Sequence, residues 1–387
     1  MQSSKLNYPA TSSRRNWLKI SSTALAAGFL WPNSRLFAQS ASSPSSTTVA
    51  ANRVTLLSLN ENPFGPSRRA LDEVKANLAT LYRYTGEEAP TLTQQIATLE
   101  KVAPEQILLG ELLEPLGLHL GLQGGPGSEF IYSVPGFTTM VDAAARVGGV
   151  VVSVPLNSNL ENDLPSLAAK INGRTKAVYI VNPHNPSGTA SSASEFSDFL
   201  RKASKQALVV VDEAYLEFAD DFSTLTATAL TRAGENVIVF RTFSKIHGLA
   251  ALSFGYAVAP RPVADFLRSR GMGSAHDLNR LSIAAASGSL KDPSHVTSIR
   301  RVVANERTKW HKELDSLGLR HTASVSNFVF FDARRPYAEI AGNFARKNII
   351  VGRAFPPLDT WVRISIGLQS ENARARKALR EMLAGPK

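Results

Sequence analysis

The chain has 387 residues, of which 43% are hydrophobic and 19% charged, and this is the composition of a globular protein of about two domains. It contains no cysteine, so disulfides, thiolate catalysis and cysteine-ligated metal centres are excluded. The formal net charge is +11. The first fifty residues carry +5 of it, and the remaining +6 is too dispersed to indicate a nucleic-acid-binding surface.

The N-terminus has the three parts of a secretory signal peptide. A basic segment with the pair Arg14 and Arg15 precedes a short apolar stretch, and Ala38 follows as the predicted cleavage residue. The paired arginines and the Trp-Leu-Lys after them resemble a twin-arginine export signal, which implies the twin-arginine machinery as a partner. The apolar stretch is too short and too polar to span a bilayer, so no stable membrane insertion is expected. We predict a signal over residues 1–38, a disordered linker over 39–53, and a periplasmic or secreted protein.

Apolar runs that are typical of buried strands recur along the rest of the chain, between segments with helical periodicity. They are apolar at successive positions, which is the pattern of strands covered on both faces. Helical segments such as 164–170 and 193–205 separate them. This alternation predicts an α/β fold with a mostly parallel sheet between two helical layers. The predicted strands are 107–109, 130–134, 150–154, 177–181, 207–211, 237–242 and 254–259.

The pattern changes near Asp277, where longer charged helices and fewer strands begin. We therefore predict a large domain over residues 81–276 and a small domain over residues 277–387. Residues 54–80 are predicted to join the small domain as an N-terminal segment. The glycine-rich stretch 121–127 precedes a strand instead of following one, so it is predicted to be a turn and not a dinucleotide-binding loop.

Polar motifs follow three of the predicted strands, and a fourth motif lies near the C-terminus. They read NPHNPSGT at 182–189, DEAY at 212–215, TFSK at 242–245 and WVRISIG at 361–367. Each motif alone has a structural explanation, as a turn, a helix cap or a solvated lysine. Ligands bind at the carboxyl ends of the strands in such sheets. Because the first three motifs place an amide, a carboxylate, a phenol and an amine at that edge together, they indicate a catalytic site.

In this order and spacing, the motifs resemble the fold type I pyridoxal-phosphate enzymes, and most closely the histidinol-phosphate aminotransferase branch. The resemblance covers residue 57 to the C-terminus. It implies a PLP-dependent transferase fold, with a mostly parallel seven-stranded sheet in the large domain and a smaller α+β domain. It also implies pyridoxal 5'-phosphate as cofactor, a homodimer, and transfer of an amino group between an α-amino acid and a 2-oxo acid.

The resemblance implies a role for each matching residue at the cofactor ring. Lys245 would form a Schiff base with the cofactor aldehyde and move the proton at the substrate Cα. Asp212 would pair with the pyridine nitrogen and keep it protonated. Asn185 and Tyr215 would hydrogen-bond the ring oxygen, and Phe137 would stack on the ring.

The same resemblance implies residues for the substrate and for the cofactor phosphate. Arg363 would take the substrate carboxylate through its planar fork, Arg353 would meet a second anionic group, and Asn60 would line the substrate pocket. The residues expected at the cofactor phosphate are Thr242, Ser244, Leu112, Leu113 and Tyr84 of the partner subunit.

Two departures from the family pattern weaken the predicted phosphate site. Ser253 stands where the family has an arginine, eight residues after the lysine, and the phosphate loop reads Gly110, Glu111, Leu112, Leu113, Glu114. Losing one charge-assisted bond to a phosphate costs about 1.5–3 kcal/mol. The backbone N–H groups of the following helix remain as donors for the anion.

These departures leave three functions open. The leading hypothesis is a transaminase of α-amino acids and 2-oxo acids. The second keeps the cofactor but ends in oxidation by dioxygen or in decarboxylation, and the third is a non-catalytic binding protein. The presence of Lys245, Asp212 and Arg363 argues against the third. No metal is predicted, because no His, Asp and Glu cluster has metal-ligand spacing, and nothing in the sequence identifies the amino acid.

Overall fold

The computed structural model describes residues 54–274 and 277–384. The predicted export signal and the linker that follows it lie outside the described residues. The strands are β1 (Thr55–Leu57), β2 (Ile107–Leu109), β3 (Glu129–Val134), β4 (Val150–Pro155), β5 (Thr175–Val181), β6 (Leu208–Asp212), β7 (Val237–Thr242), β8 (Gly255–Val258), β9 (Phe328–Asp332), β10 (Ile349–Val351) and β11 (Trp361–Ser365).

The helices alternate with the strands through the first two thirds of the described chain and dominate after it. They are α1 (Arg68–Asn77), α2 (Glu88–Glu100), α3 (Leu113–Gly124), α4 (Thr139–Ala145), α5 (Leu164–Lys170), α6 (Ala193–Ala203), α7 (Phe222–Leu225), α8 (Thr228–Arg232), α9 (Arg261–Ser269), α10 (Arg280–Leu290), α11 (Pro293–Ser316), α12 (Tyr337–Arg346) and α13 (Gln369–Ala384). No helix of the described segments is long and apolar enough to cross a bilayer.

A seven-stranded sheet organises the larger part of the fold, with the strand order β2-β8-β7-β6-β5-β3-β4. The neighbours from β4 to β7 are parallel, whereas β8 runs antiparallel to both β7 and β2. The prediction of an α/β fold with a mostly parallel sheet is therefore confirmed. The carboxyl ends of β5, β6 and β7 meet at one edge, and three of the polar motifs begin there.

The central strands are covered on both faces, as their continuous apolar pattern predicted. Val178 and Ile180 of β5 enter a core shared with α2, α6 and α10. Tyr179 and Val181 of the same strand enter a second core, shared with α3, α4 and α9. Successive side chains of a strand point to opposite faces, so each strand contributes to both cores. The α3 side of the sheet is the one on which the site described below is built.

A correction concerns the glycine-rich stretch 121–127, which was predicted to be a turn. Its first half is the end of helix α3, and only the part around Gly125 and Gly127, with φ angles of +72° and +85°, turns. Glycines stand in α3 because α4 packs closely against it. A Cβ at Gly121 would lie 2.9 Å from the backbone oxygen of Ala144 in α4. The glycines therefore serve helix packing, which their position before a strand does not reveal.

A separate core forms around β9, β11 and the helices α11, α12 and α13. Strand β11 pairs antiparallel with β9, while β1 from the start of the described chain pairs in parallel with β10. Trp310 of α11 is fully buried in this core. Ile283 of α10 packs instead into the core of the large sheet. The domain boundaries at residues 80 and 276 stay predictions.

Candidate active site

A cavity of about 210 Å³ opens at the carboxyl ends of β5, β6 and β7. This is the edge at which doubly wound sheets bind their ligands. Each of these strands, or the turn after it, supplies a polar group to the cavity: Asn185 after β5, Asp212 at the end of β6 and Lys245 after β7. The predicted residues that line the cavity are Leu112, Leu113, Phe137, Asn185, Asp212, Tyr215, Thr242, Ser244 and Lys245.

Asp212 is the buried acid of the cavity, and its side chain is held on two sides. Its Oδ2 accepts a hydrogen bond of 2.9 Å from the hydroxyl of Tyr179, and its Oδ1 accepts one of 3.0 Å from the backbone N–H of Ala214. Burial raises the pKa of Asp212, while these two donors and the charge of Lys245 oppose that rise. A carboxylate has about four acceptor positions, so Asp212 keeps acceptor capacity for a cation in the cavity.

Lys245 supplies the amine of the cavity and is not committed to a carboxylate. Its Nζ donates a weak hydrogen bond of 3.4 Å to the carbonyl oxygen of Leu59 and lies 5.7 Å from the centre of the Tyr215 ring. No salt bridge to Lys245 occurs within the described parts of the chain. An amine held this loosely beside a cavity is available for covalent attachment to a carbonyl compound.

The Tyr215 hydroxyl, on the wall of the cavity, accepts hydrogen bonds from two side-chain amides. Nδ2 of Asn60 lies 3.1 Å from the hydroxyl oxygen, and Nδ2 of Asn185 lies 3.3 Å from it. Because both amides donate, the proton of the hydroxyl is left for an acceptor in the cavity. Asn60 does not itself line the cavity and is connected to it through Tyr215.

Arg363 lies behind Asn185 as a buried cation that is paired with no acid in the described chain. Its Nη1 donates to Oδ1 of Asn185 at 2.6 Å and its Nη2 to the carbonyl oxygen of Ser58 at 2.8 Å, while its Nε has no partner. The rings of Phe328 and Phe355 flank the guanidinium at 5.5 and 5.0 Å. Burial lowers the pKa of Arg363 to about 10. A buried guanidinium with an unused donor is a receptor for a carboxylate.

The opposite end of the cavity is formed by residues 110–113, which lead into α3. Leu112 is the N-cap residue of this helix and makes no side-chain cap, so backbone N–H groups of the first turn face this end. The Thr242 hydroxyl donates to the carbonyl oxygen of Phe254 at 3.3 Å and accepts from the N–H of Ser244 at 3.0 Å, so it is already engaged. Of the two hydroxyls predicted to meet the phosphate, that of Thr242 is therefore bonded within the protein, while Ser244 also lines the cavity.

The charged side chains at this end are unfavourable for an anion. Glu111 lines the cavity, and its burial together with the charge of Asp212 raises its pKa. Arg241 also contributes to the wall, but its side chain turns to the opposite face of the sheet. There it contacts Glu213 at 2.9 Å and Glu100 at 3.5 Å. Lys245 is thus the cation that the described residues leave available to this cavity.

Two predicted residues lie away from the cavity. Tyr84 has an 84% exposed side chain and does not line the cavity, so its role in the site of a partner subunit stays a prediction. Arg353 is exposed, and its guanidinium lies 4.4 Å from the centre of the Phe355 ring. Arg363 also lies against Phe355, so the two guanidinium groups contact the same ring, and the charge of Arg353 contributes to lowering the pKa of Arg363.

Sequence reasoning missed two residues that contact the site. Tyr179 bonds Asp212 from the middle of β5, where a tyrosine in an apolar run is typical of a core residue. The ring of Phe355 contacts Arg363 from a segment without a recognisable motif. The sequence does contain one signal for Tyr179. It lies two residues before Val181, which lines the cavity, so the two side chains point to the same face of the sheet.

An amine and a buried carboxylate at the ends of adjacent parallel strands define the site of an α/β enzyme. A family model described as "Aminotransferase class I and II" matches residues 52–379. The chain therefore belongs to the class I and II aminotransferases, enzymes that depend on pyridoxal phosphate, act on small molecules and are typically dimeric. The predicted enzyme class and cofactor are confirmed.

The chain is similar to histidinol-phosphate aminotransferases over most of its length. It is 34% identical over 336 residues to the enzyme of Moorella thermoacetica, covering 86% of each chain. It is 31% identical over 338 residues to that of Caldicellulosiruptor saccharolyticus, covering 87% of this chain and 93% of the relative. The solved structure of the Sinorhizobium meliloti enzyme in complex with pyridoxal-5'-phosphate is 28% identical. It superposes with a TM-score of 0.76 over 86% of this chain and 91% of that one.

Proposed function

We propose that this aminotransferase binds its cofactor in the cavity between Lys245 and Asp212 and acts on an α-amino acid and a 2-oxo acid. The observation that carries the proposal is that one cavity holds the Lys245 amine, which has no carboxylate partner in the described chain, and the buried Asp212 carboxylate. Arg363 lies next to this cavity and contacts it through Asn185. We call the part of the cavity at Lys245, Asp212 and Tyr215 the ring end. It fits pyridoxal phosphate, because Lys245 offers a nucleophilic amine, Asp212 an acid for the ring nitrogen and Tyr215 a hydroxyl for the ring oxygen. The phosphate end, formed by residues 110–113 and Thr242, fits less well, because Glu111 lines it and Arg241, the arginine that the described chain places in the cavity wall, is bound to Glu213.

The proposed mechanism assigns one task to each of these groups. Bound in the cavity, the cofactor supplies a sink for the electrons that remain when a bond to the substrate Cα breaks. Asp212 holds a proton at the ring nitrogen, and the Tyr215 hydroxyl donates to the ring oxygen. Once the substrate amine has displaced it from the cofactor, Lys245 Nζ would take the proton from the substrate Cα, and Arg363 would hold the substrate carboxylate.

The test is the absorption spectrum of the purified mature protein after incubation with pyridoxal phosphate. After unbound cofactor has been removed, we expect an absorption band at longer wavelength than that of free pyridoxal phosphate, because the covalent linkage is a conjugated imine, and we expect its loss in Lys245→Ala. Lys291→Ala, which removes a lysine that pairs with Glu73 on the surface, is the matched control and should keep the band. A wild-type protein without the band, or a band that survives Lys245→Ala, contradicts the proposal.

We propose further that the substrate carries a second anionic group that meets Arg353. The supporting observations are the exposed Arg353, whose guanidinium contacts the same Phe355 ring as that of Arg363, and the similarity to enzymes named for a phosphorylated substrate. Arg353→Gln should raise KM about tenfold for amino acids with a second anion, since a hydrogen bond to a charged group is lost. It should leave KM unchanged for amino acids without a second anionic group, such as alanine. An equal change for both substrate classes contradicts this assignment.

We infer a homodimer in which Tyr84 reaches the cofactor site of the other subunit. The supporting observation is one short stretch of the described chain in which four large side chains are at least half exposed: Leu78, Leu81, Tyr82 and Tyr84. Exposed apolar residues that form a contiguous patch are typical of interaction sites. Sedimentation should give twice the chain mass. Tyr84→Phe should weaken binding of pyridoxal phosphate but not of pyridoxal, and a monomer that binds the cofactor fully contradicts the inference.

We propose that the twin-arginine machinery exports the folded protein to the periplasm. The support is the pair Arg14 and Arg15 ahead of an apolar stretch and Ala38. Cell fractionation should find a shortened periplasmic form, whereas Arg14→Lys with Arg15→Lys should leave the full-length chain in the cytoplasm. The control is Lys5→Gln with Arg35→Gln. This variant removes two positive charges from the same segment but keeps Arg14 and Arg15, so it should still be exported. Cytoplasmic retention of the wild-type chain contradicts the proposal.

A further inference from the structure

We propose that Tyr179 is a positioning residue that holds the Asp212 carboxylate in the cavity through the hydrogen bond from its hydroxyl. The inference rests on the proposed function, in which Asp212 meets the cofactor ring nitrogen. It adds a residue of β5 that lies outside the four motifs and does not line the cavity.

The sheet register explains why Tyr179 is able to reach Asp212. In the parallel pairing of β5 with β6, Tyr179 lies opposite Val210. Asp212 is two residues further along β6, so its side chain points to the same face as those of Val210 and Tyr179. The length of the tyrosine side chain spans this offset and brings its hydroxyl to 2.9 Å from Oδ2. A shorter polar side chain at position 179 would not cover that distance.

The two fixed hydrogen bonds leave the carboxylate little freedom to rotate. Tyr179 holds Oδ2 and the Ala214 backbone holds Oδ1. The phenol is 1% exposed and packs among the apolar side chains between the sheet and α3, so its own position is fixed as well. A buried carboxylate with one free oxygen would turn toward the nearest donor, whereas this one keeps its remaining acceptor positions in place for the cavity.

The same bond favours the charged form of the acid. Burial opposes the charge on Asp212, and the Tyr179 donor acts against that effect and keeps the pKa of Asp212 lower than burial alone would set it. Burial and the neighbouring carboxylate raise the pKa of Tyr179 well above its ordinary value, so it remains a donor. The other titratable groups that face Asp212 are Lys245 after β7, Glu111 before α3 and Tyr215 after β6.

The sheet contains a matched control for this tyrosine. Tyr256 of β8 is also buried, and its hydroxyl donates to a buried carboxylate, Oε1 of Glu100, at 2.6 Å. It belongs to the core on the α2 side of the sheet, away from the cavity. Tyr256→Phe therefore removes the same kind of bond as Tyr179→Phe, with a comparable loss of thermal stability and without contact with Asp212.

The experiment measures binding of 4'-deoxypyridoxine 5'-phosphate to the cofactor-free mature protein between pH 5 and 9. This analogue keeps the ring nitrogen but has no aldehyde, so attachment to Lys245 does not contribute. Tyr179→Phe should weaken binding about tenfold at neutral pH. It should also move the pH midpoint of binding upward, because Asp212 is protonated at a higher pH without the phenol. Tyr256→Phe should change neither the affinity nor the pH midpoint. The analogue's own titration affects all variants equally, so it does not contribute to the difference between them.

A second variant separates positioning from general destabilisation. In an Asp212→Asn background, adding Tyr179→Phe should cost less than threefold in affinity, since the charge that the phenol supports is gone. A Tyr179→Phe protein with wild-type affinity and midpoint overturns the inference, as does an equal loss in the Asp212→Asn background. Failure of the wild-type protein to bind the analogue overturns the proposed function as well, so the two failures are distinguishable.

Discussion

The two ends of the cavity differ in how their polar groups are held. At the ring end, Arg363 donates to Asn185, Asn185 donates to Tyr215, and Asp212 accepts from Tyr179, so each group is fixed by another. At the phosphate end, the wall consists of Leu112, Leu113 and Glu111, and the hydroxyl of Thr242 is bonded to the backbone.

The charges follow the same division. Arg241, the arginine that contributes to the wall of the cavity, is bound on the other face of the sheet to Glu213 and Glu100. Removing it would leave Glu213 and Glu100 buried without the cation that pairs with both, so its role is structural. We therefore expect this chain to depend on the ring end and on the proposed covalent linkage to Lys245 to hold its cofactor. We expect the phosphate group to contribute less to the affinity for the cofactor than it would in a site where an arginine contacts it.

The largest effect is expected from Asp212→Asn, which removes the charge at the ring end and keeps the shape of the side chain. Turnover should fall on the order of 10³-fold, because a group that stabilises developing charge in the reaction is lost. Steady-state kinetics with saturating cofactor measures the change. Asp221→Asn, at an exposed position after β6, is the control and should be neutral. Turnover within tenfold of wild type in Asp212→Asn would contradict the assigned role.

Arg363→Lys is expected to have the next largest effect. Lysine keeps the positive charge but not the planar fork, so the bidentate grip on a carboxylate is lost. KM for the amino acid should rise about 10–100-fold, as expected for the loss of one bond between charged groups. The affinity for pyridoxal phosphate should stay the same, as measured by equilibrium titration. A loss confined to cofactor binding would place Arg363 at the cofactor and not at the substrate.

Glu111→Gln tests the phosphate end and should have a smaller effect of opposite sign. Removing a carboxylate from the wall should tighten binding of pyridoxal phosphate about threefold to tenfold, the order expected for one charge pair near a protein surface. The pKa of Glu111 is raised, so its repulsion is present above that pKa and disappears as the pH falls through it. The gain in Glu111→Gln should therefore be greater at pH 8 than at pH 5.

A control for this prediction lies in the same loop. Glu114 pairs with Arg146 on the surface and does not line the cavity, so Glu114→Gln should leave cofactor affinity unchanged. Binding of pyridoxal, which has no phosphate, should be equal in wild type and Glu111→Gln. If Glu111→Gln weakens binding of pyridoxal phosphate, the comparison between the two ends is wrong.

The sequence predicted the ring end well because strand ends and motifs coincide there. Asn185, Asp212 and Lys245 each follow a continuous apolar strand, and parallel strands bring their carboxyl ends together whatever the loops do. The resemblance of the motifs then assigned the chemistry. The fold class followed from the same strands, since β-branched runs covered on both faces require helices on both sides.

Other features could not be predicted, because they depend on contacts between distant elements. Gly121, near the end of α3, was assigned to a turn because the local pattern does not show the close approach of α4. Tyr179 was indistinguishable from a core residue until the register of β5 against β6 was known. The partners of Arg241 lie in α2 and after β6, so nothing near it in the sequence shows that it is unavailable to the cavity.

The central claim is that Lys245 is the covalent anchor of the cofactor. The most direct measurement is borohydride reduction of the protein loaded with pyridoxal phosphate, followed by proteolysis and mass spectrometry of the labelled peptide. The account predicts one reduced adduct per chain, on the peptide that contains Lys245. An adduct on any other lysine, or no adduct with a protein that still transfers amino groups, would contradict it.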